Sequence, residues 1–463
     1  VVIDGEHYPP VIEQAIAGLM ADGNEVAAAV LVGGKEKLPA EGLDVVGTVP
    51  VLSGGSPTEL LARAIREIAP QAVMDLSDEP VLDYRQRFAL ASVALRLDVP
   101  YHGADFEFVP PARPRLAEKP SVAIIGTGKR TGKTAVAGHA ARTLVANGRR
   151  PAVVAMGRGG PAEPEVLRGD RVELTPHDLL ALAEAGKHAA SDYVEDAYLA
   201  RVPTVGCRRC GGGLAGAVGT SNVERGVELA NSLDVEMLLL EGSGSAIPPV
   251  HADVTVLVVP VGIPEEYLVG YLGHYRLLLA DLVVVTMCEE PFGSPSQISS
   301  LESLHSDLRR TLGDRSAGSG GTGLRQVPPP QIQMVRTVFR PSPTRSVSGA
   351  KAYVTTTAPE EAGDSIRRHL EEKHGCEVVG ISHHLSDRKR LTEDLEGVGE
   401  QAEVLLCEIK AAAIDVATRW GLDAGLEVVY MDNVPMGISG DDLDAAVIWA
   451  AEAATARFEE GDR

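Results

Sequence analysis

Gly126-Thr127-Gly128-Lys129-Arg130-Thr131-Gly132-Lys133-Thr134 decides the reading of this chain, because an apolar run, 121–125, leads into it and a helix-like run, 134–147, leads out. Small residues let successive backbone N–H groups turn inward around a phosphate, a helix start favours negative charge, and one lysine meets the reacting end. Gly126, Gly128, Gly132 and Lys133 supply those parts, with Thr127 and Thr131 completing the cradle. The Thr134 hydroxyl is then placed to hold Mg2+. Strand, glycine-rich loop and helix in this order are the context that a nucleotide-binding P-loop requires, so Mg-ATP is the expected ligand. The common pattern has four residues between its first glycine and Gly-Lys-Thr; from Gly126 there are five, which makes this loop a variant.

Working outward, strand-like runs at 151–155, 237–240, 255–260 and 282–286 give residues 116–313 the reading of a P-loop domain with a parallel sheet. Residues 1–115 alternate short apolar runs with amphipathic ones and read as a Rossmann-like α/β domain, closed by the Pro-rich joint at 109–114. Residues 314–330 are dominated by Gly, Ser and Pro and read as a flexible linker. The alternation resumes over 331–463, a C-terminal α/β domain. The fold class is therefore α/β throughout, with the P-loop domain flanked on both sides.

Glu241 ends an apolar strand and is followed by Gly242-Ser243-Gly244, so its carboxylate can face a ligand without steric obstruction and serve the metal of a nucleotide. Basic residues recur near other strand ends: Arg158 among glycines, Arg208 and Arg209 before three glycines, and Lys410 after Glu408. Arginine binds phosphate through two parallel N–H donors, which suits these positions to an anionic substrate. Lys129 and Arg130, inside the loop, extend the same positive charge toward it. Asp4, Glu6 and His7 follow the first strand, where ligands of open α/β sheets bind. Cys207-x-x-Cys210 is half a zinc site without an obvious other half, and reads as small packing residues framing the arginine turn. His383-His384 invites a metal reading, and more often such a pair is satisfied by polar neighbours.

The chain has 463 residues, 44% of them hydrophobic, enough for more than one core. Its formal charge of −22 disfavours nucleic acid and anionic membrane, so an anionic ligand must be captured locally. No run reaches the roughly 18 apolar residues of a membrane span. Five cysteines without a regular spacing, and a start lacking an export signal, lead us to expect a cytoplasmic protein.

The loop spacing, His177-Asp178-Leu179-Leu180-Ala181-Leu182 and Glu241-Gly242-Ser243-Gly244 resemble the dethiobiotin synthetase branch of P-loop enzymes over the middle domain. That resemblance implies that Asp178 and Glu241 join Thr134 around Mg2+, with Arg158 on the substrate side. Across its whole length, from Ile3-Asp4-Gly5-Glu6-His7-Tyr8-Pro9 through Cys207-Arg208-Arg209-Cys210 to Asp432-Asn433, the chain more closely resembles the cyclic 2,3-diphosphoglycerate synthetase family. The resemblance implies an ATP-driven intramolecular ligase acting on a small phosphorylated substrate, a homodimer, and transition-state stabilisation by Lys133, Lys129 and Arg130. Two alternatives stand beside it: a carboxylase or ligase of the dethiobiotin synthetase type, and a nucleotide-switched partner-binding protein.

Overall fold

The computed structural model describes residues 1–34, 36–39, 42–187, 191–312, 334–398, 401–410 and 414–461. The proposed linker at 314–330 lies outside the described residues. Contacts divide the chain into two compact units.

The first unit comprises Val1–Ala112, Ile263–Ala280 and the described residues from Ser299 to 312. Its strands are β1 (Val2–Ile3), β2 (Ala29–Leu31), β3 (Val45–Val46), β4 (Val49–Leu52), β5 (Val73–Met74), β6 (Tyr101–His102) and β7 (Glu107–Phe108). One sheet runs β1-β2-β4-β3 and another β5-β6-β7, joined by a parallel bridge between Val2 and Asp75. Its first three helices are α1 (Pro9–Ala21), α2 (Pro57–Ile68) and α3 (Tyr84–Arg96). Proline opens α1 and α2, where its missing N–H has no helical partner to lose, and an Asp83/Gln86 capping box opens α3.

The second unit comprises Arg113–Gly262, Asp281–Ile298 and the described residues from 334 onward. Its first part holds β8 (Ser121–Gly126), α4 (Lys133–Ala146), β9 (Pro151–Gly157), β10 (Glu165–Arg168), α5 (Pro176–Glu184), α6 (Asp192–Leu199), β11 (Pro203–Cys210), β12 (Thr220–Ser221), α7 (Val223–Asn231), β13 (Met237–Glu241) and β14 (Val254–Pro260). Next along the chain come α8 (Glu265–Val269) and α9 (Gly273–Leu279), which belong to the first unit and pack there on α3. Arg85 reaches Glu265 at 2.8 Å there, and Arg96 Nε donates to the Leu278 carbonyl at 2.9 Å. After these come β15 (Leu282–Thr286), α10 (Pro295–Leu312), which belongs to the first unit from Ser299 onward, then β16 (Met334–Pro343), β17 (Lys351–Thr355), α11 (Gly363–His369), β18 (Glu377–Ser382), α12 (Arg388–Glu396), β19 (Val404–Glu408), α13 (Ile414–Asp423), β20 (Glu427–Gly437) and α14 (Leu443–Gly461).

In the second unit one sheet runs β10-β11-β9-β13-β8-β14-β15-β16-β20-β19-β17-β18. The P-loop strands and the C-terminal strands therefore share hydrogen bonds: β16 pairs in parallel with β15 and antiparallel with β20. Central strands are covered on both faces, which is why β8, β9, β13 and β14 read as unbroken apolar runs instead of alternating ones. Helices α4 and α14 pack over β8, and Val136, Ala140, Leu144, Val256 and Val447 meet in one core. Burying a side chain such as Leu144 contributes roughly 1.5–3 kcal/mol. Short parallel strands ending together put the loop after β8 and Glu241 at the end of β13 side by side.

Candidate active site

The loop is packed from beneath. A carbon added to Gly126 would stand 2.7 Å from Lys133 Cδ and 2.8 Å from Thr131 Oγ1, so only glycine fits. Lys133 Nζ donates to the Gly128 carbonyl at 2.9 Å and to Thr131 Oγ1 at 3.4 Å. The Thr131 carbonyl accepts from Thr286 Oγ1 at 2.8 Å, which ties the loop to the end of β15. Thr127, Thr131, Lys133 and Thr134 are buried, whereas Lys129 and Arg130 are exposed at the loop tip. Arg130 has a left-handed backbone (φ 57), a conformation that side chains rarely adopt.

β13 lies between β8 and β9, and this placement carries Glu241 to the loop. Both of its carboxylate oxygens are buried and lack a hydrogen-bond partner among the described residues. Burial and the charge of Asp192 push its carboxyl up to about 7, against the pull of the Lys133 and Lys410 cations. Burial lowers the Lys133 ammonium to about 8, opposed by Glu241 and Asp192.

Helix α6 adds three acids that the sequence reading did not single out. Asp192 Oδ2 lies 3.7 Å from where a carbon on Gly157 would stand, at the end of β9. Glu195 and Asp196 are buried, and Asp196 has no hydrogen-bond partner for either oxygen. Burial and then Glu241 hold the Asp196 carboxyl far above the usual range; burial pushes Glu195 up to about 8. Glu195 Oε1 accepts from Lys410 Nζ at 3.0 Å, so the turn after β19 brings a lysine into this group. Burial works against the Lys410 ammonium, yet Glu195 and Glu408 hold it above its usual range. Glu408 is fixed in turn, accepting from Thr356 Oγ1 at 2.9 Å, Thr357 N at 2.6 Å and Asn433 Nδ2 at 2.8 Å. Positions 192, 195 and 196 share one helix face, and that spacing is the only sequence signal of the group, one that a solvated helix face gives equally.

Two arginines close the opposite side. Gly244 is left-handed (φ 62), and a carbon there would stand 2.7 Å from Arg158 Nη2 and 3.3 Å from Arg209 Nη2. Arg209 Nη2 donates to the Ser243 carbonyl at 2.6 Å and Nη1 to the Gly211 carbonyl at 2.9 Å. Burial and then the neighbouring Arg158 lower the Arg209 guanidinium, and Arg158 also lowers Lys133, so three cations share one field. Arg208 alternates with Arg209 along β11 and is exposed on the other face.

Other positions fall elsewhere. Asp178 is exposed and caps its own helix, accepting from Thr175 N at 2.7 Å and Thr175 Oγ1 at 2.6 Å. The structure does not bring it to Glu241; Asp192 and Asp196 stand there instead. The Asp178→Ala variant is expected to lose about 1 kcal/mol of stability or less and to keep its Mg2+ dependence. A raised Mg2+ requirement in a titration of turnover would return Asp178 to the metal. Asp4, Glu6 and His7 belong to the first unit. The Asp4 carboxylate is buried and already accepts from Glu6 N, His7 N, His7 Nδ1 and Asp78 N, which makes it the centre of a turn. Cys207 is buried, its thiol pushed up to about 12 by burial, and Cys210 is exposed. Three apart on an extended strand, they face opposite ways. His383 and His384 meet the Ala358 carbonyl and Asp394.

Among the described residues no three or more His, Cys, Asp or Glu side chains are grouped to hold a metal. The oxygens of Glu241 and Thr134 nevertheless fit Mg2+, which takes one or two carboxylates and completes its shell from phosphate and water. Two buried, unpartnered carboxylate oxygens are the feature such an ion would answer.

Family models described as cyclic 2,3-diphosphoglycerate synthetase match the chain at 1–109 (N-terminal domain), 121–312 (P-loop domain) and 343–434 (C-terminal domain). A protein named cyclic 2,3-diphosphoglycerate synthetase from Methanothermobacter thermautotrophicus is 44% identical over 99% of this chain and 96% of its own. One of the same name from Rubrobacter xylanophilus is 46% identical over 100% and 98%. Among solved structures, LpxK from Aquifex aeolicus in complex with ATP aligns with a TM-score of 0.39 and 14% identity, covering 73% of this chain and 90% of that one, a likeness too slight to bear on function. The near-complete coverage of both relatives, with all three domain models in chain order, places this chain in the cyclic 2,3-diphosphoglycerate synthetase family.

Proposed function

We propose that this chain uses ATP to close 2,3-diphosphoglycerate into its cyclic pyrophosphate, releasing ADP and phosphate. The observation that carries the reading is the meeting of Arg158 and Arg209 over Gly244, beside Lys133. Hydrolysis of ATP alone has no need of two further guanidiniums, whereas a substrate with two phosphates and a carboxylate on three carbons must be neutralised before it can be joined to itself.

Backbone amides of 127–134 and the start of α4 hold the nucleotide phosphates. Thr134 and Glu241 would hold Mg2+, with Asp192 and Asp196 next to them. The chemistry such an ion would supply there is neutralisation of nucleotide phosphate charge. Arg158 and Arg209 position the substrate, and Lys410 adds a further cation from the C-terminal strands. An oxygen of one substrate phosphate attacks the γ-phosphorus, and the bond to ADP breaks. An oxygen of the second substrate phosphate then attacks the phosphorus of the first, the bond to the transferred group breaks, and inorganic phosphate leaves. The ring phosphoanhydride is formed. Lys133, with Lys129 and Arg130 at the loop tip, stabilises the charge that develops, so the protein's part is positioning and electrostatics.

Incubation with ATP, Mg2+ and 2,3-diphosphoglycerate, followed by phosphorus NMR, is expected to show cyclic product and an equal amount of ADP. ADP release that needs bicarbonate or an amine, with no cyclic product, would favour the dethiobiotin synthetase type instead. The same family reading supports a homodimer, to be checked by sedimentation. A reducing, cytoplasmic setting accords with the five free cysteines and with the absence, among the described residues, of a helix long and apolar enough to cross a membrane.

A further inference from the structure

A second concavity of about 270 Å³ opens in the same unit, away from the loop. Arg142 of α4, Arg201 after α6 and Arg345 after β16 line it, with Glu173 and Asp432 as the only acids among its lining residues. Two of these guanidiniums are engaged: Arg142 Nη2 lies 2.7 Å from Asp432 Oδ2, and Arg345 Nη2 lies 3.5 Å from Glu173 Oε1. Arg201, exposed, has no ionic partner among the described residues, and its left-handed backbone (φ 56) ends α6, just past the helix cap at Ala200.

From these positions we infer that the cavity is a separate binding site for a small phosphorylated carboxylate. Three arginines from separate stretches of the chain line it against two carboxylates, and arginine forks match phosphate and carboxylate alike. On a chain of charge −22, an excess of cations around a hollow must be local and directed. The volume is slightly below the roughly 300–1,000 Å³ of drug-sized sites, which suits a three-carbon acid. Arg142 lies nine residues beyond Lys133 on α4, about 14 Å at 1.5 Å per residue, so one such molecule does not touch both. Occupancy would also reach the nucleotide side. Asp432, the partner of Arg142, precedes Asn433, which donates to Glu408 two residues before Lys410.

The test is calorimetric titration of the full chain, its loop first saturated with MgADP, with 3-phosphoglycerate and separately with inorganic phosphate. The expected result is a class of sites that the Arg201→Ala/Arg345→Ala variant binds at least about tenfold more weakly, and that the Arg158→Ala/Arg209→Ala variant retains. Inorganic phosphate binding with equal strength would assign the recognition to the phosphate group; weaker binding would assign part of it to the carboxylate. An unchanged circular dichroism spectrum and melting temperature verify the fold of each variant. Absence of 3-phosphoglycerate binding in the parent, or its loss only in the Arg158/Arg209 variant, would overturn the inference.

Discussion

Replacing Lys133 with alanine is expected to lower kcat by about 10²–10³-fold or more, with the circular dichroism spectrum unchanged. The ammonium is the loop's own cation, buried, and held by the Gly128 carbonyl and Thr131 Oγ1 at the place where nucleotide phosphates sit in a P-loop. Arginine is not expected to rescue it. Lys133 Cδ packs where any side chain on Gly126 would collide, and a planar guanidinium needs more room than the lysine stem leaves. A pH signature separates this role from simple packing. Burial holds the ammonium at about 8, so in the nucleotide-free chain it loses its proton, and its attraction for phosphate, as pH rises through that value. MgADP affinity should therefore fall above about pH 8 in the parent and follow no such limb in Lys133→Ala. Near-normal turnover by Lys133→Ala would remove the loop from the chemistry altogether.

How far the site was legible depends on which contacts are local. The loop was readable because its parts are consecutive, and Glu241 because an apolar run ending in an acid and small residues has few other uses. Arg158 and Arg209 were readable as cations near glycines, yet the alternation that turns Arg209 inward and leaves Arg208 exposed follows from the register of β11 on β9. Asp178 shows the opposite failure. Thr175-Pro176-His177-Asp178 is a helix start, and the carboxylate serves that helix in a capping box. The acids that face Glu241 come from α6, whose Asp-Tyr-Val-Glu-Asp start resembles a solvated amphipathic helix until α6 packs on β9, β11 and α4. Likewise, nothing local announces that β16 pairs with β15 and β20 and so carries the C-terminal strands onto the P-loop sheet, which is what brings Lys410 to Glu195.

Glu241→Gln is the substitution expected to separate stability from function most widely. In the ligand-free chain Glu241 and Asp196 are buried together without hydrogen-bond partners, a placement that costs folding energy unless protons or a cation compensate. The sign follows from its titration. The folded-state carboxyl is raised from 4.5 to about 7, so the folded chain holds a proton that the unfolded chain releases across that window. Stability from this group is complete below about pH 4.5 and is lost as pH rises through about 7. Glutamine removes that loss while keeping the shape. At pH 8 the ligand-free variant should melt at the same temperature as the parent or higher, and its melting temperature should fall less between pH 5 and 8. Turnover should move the other way, with kcat down by about 10²-fold or more and more Mg2+ needed for half-maximal rate, since a neutral amide is a poor ligand for a hard cation. A variant that is both destabilised and fully active at ordinary Mg2+ would mean that Glu241 is a structural acid, and would transfer the metal role to Asp192 and Asp196 on α6.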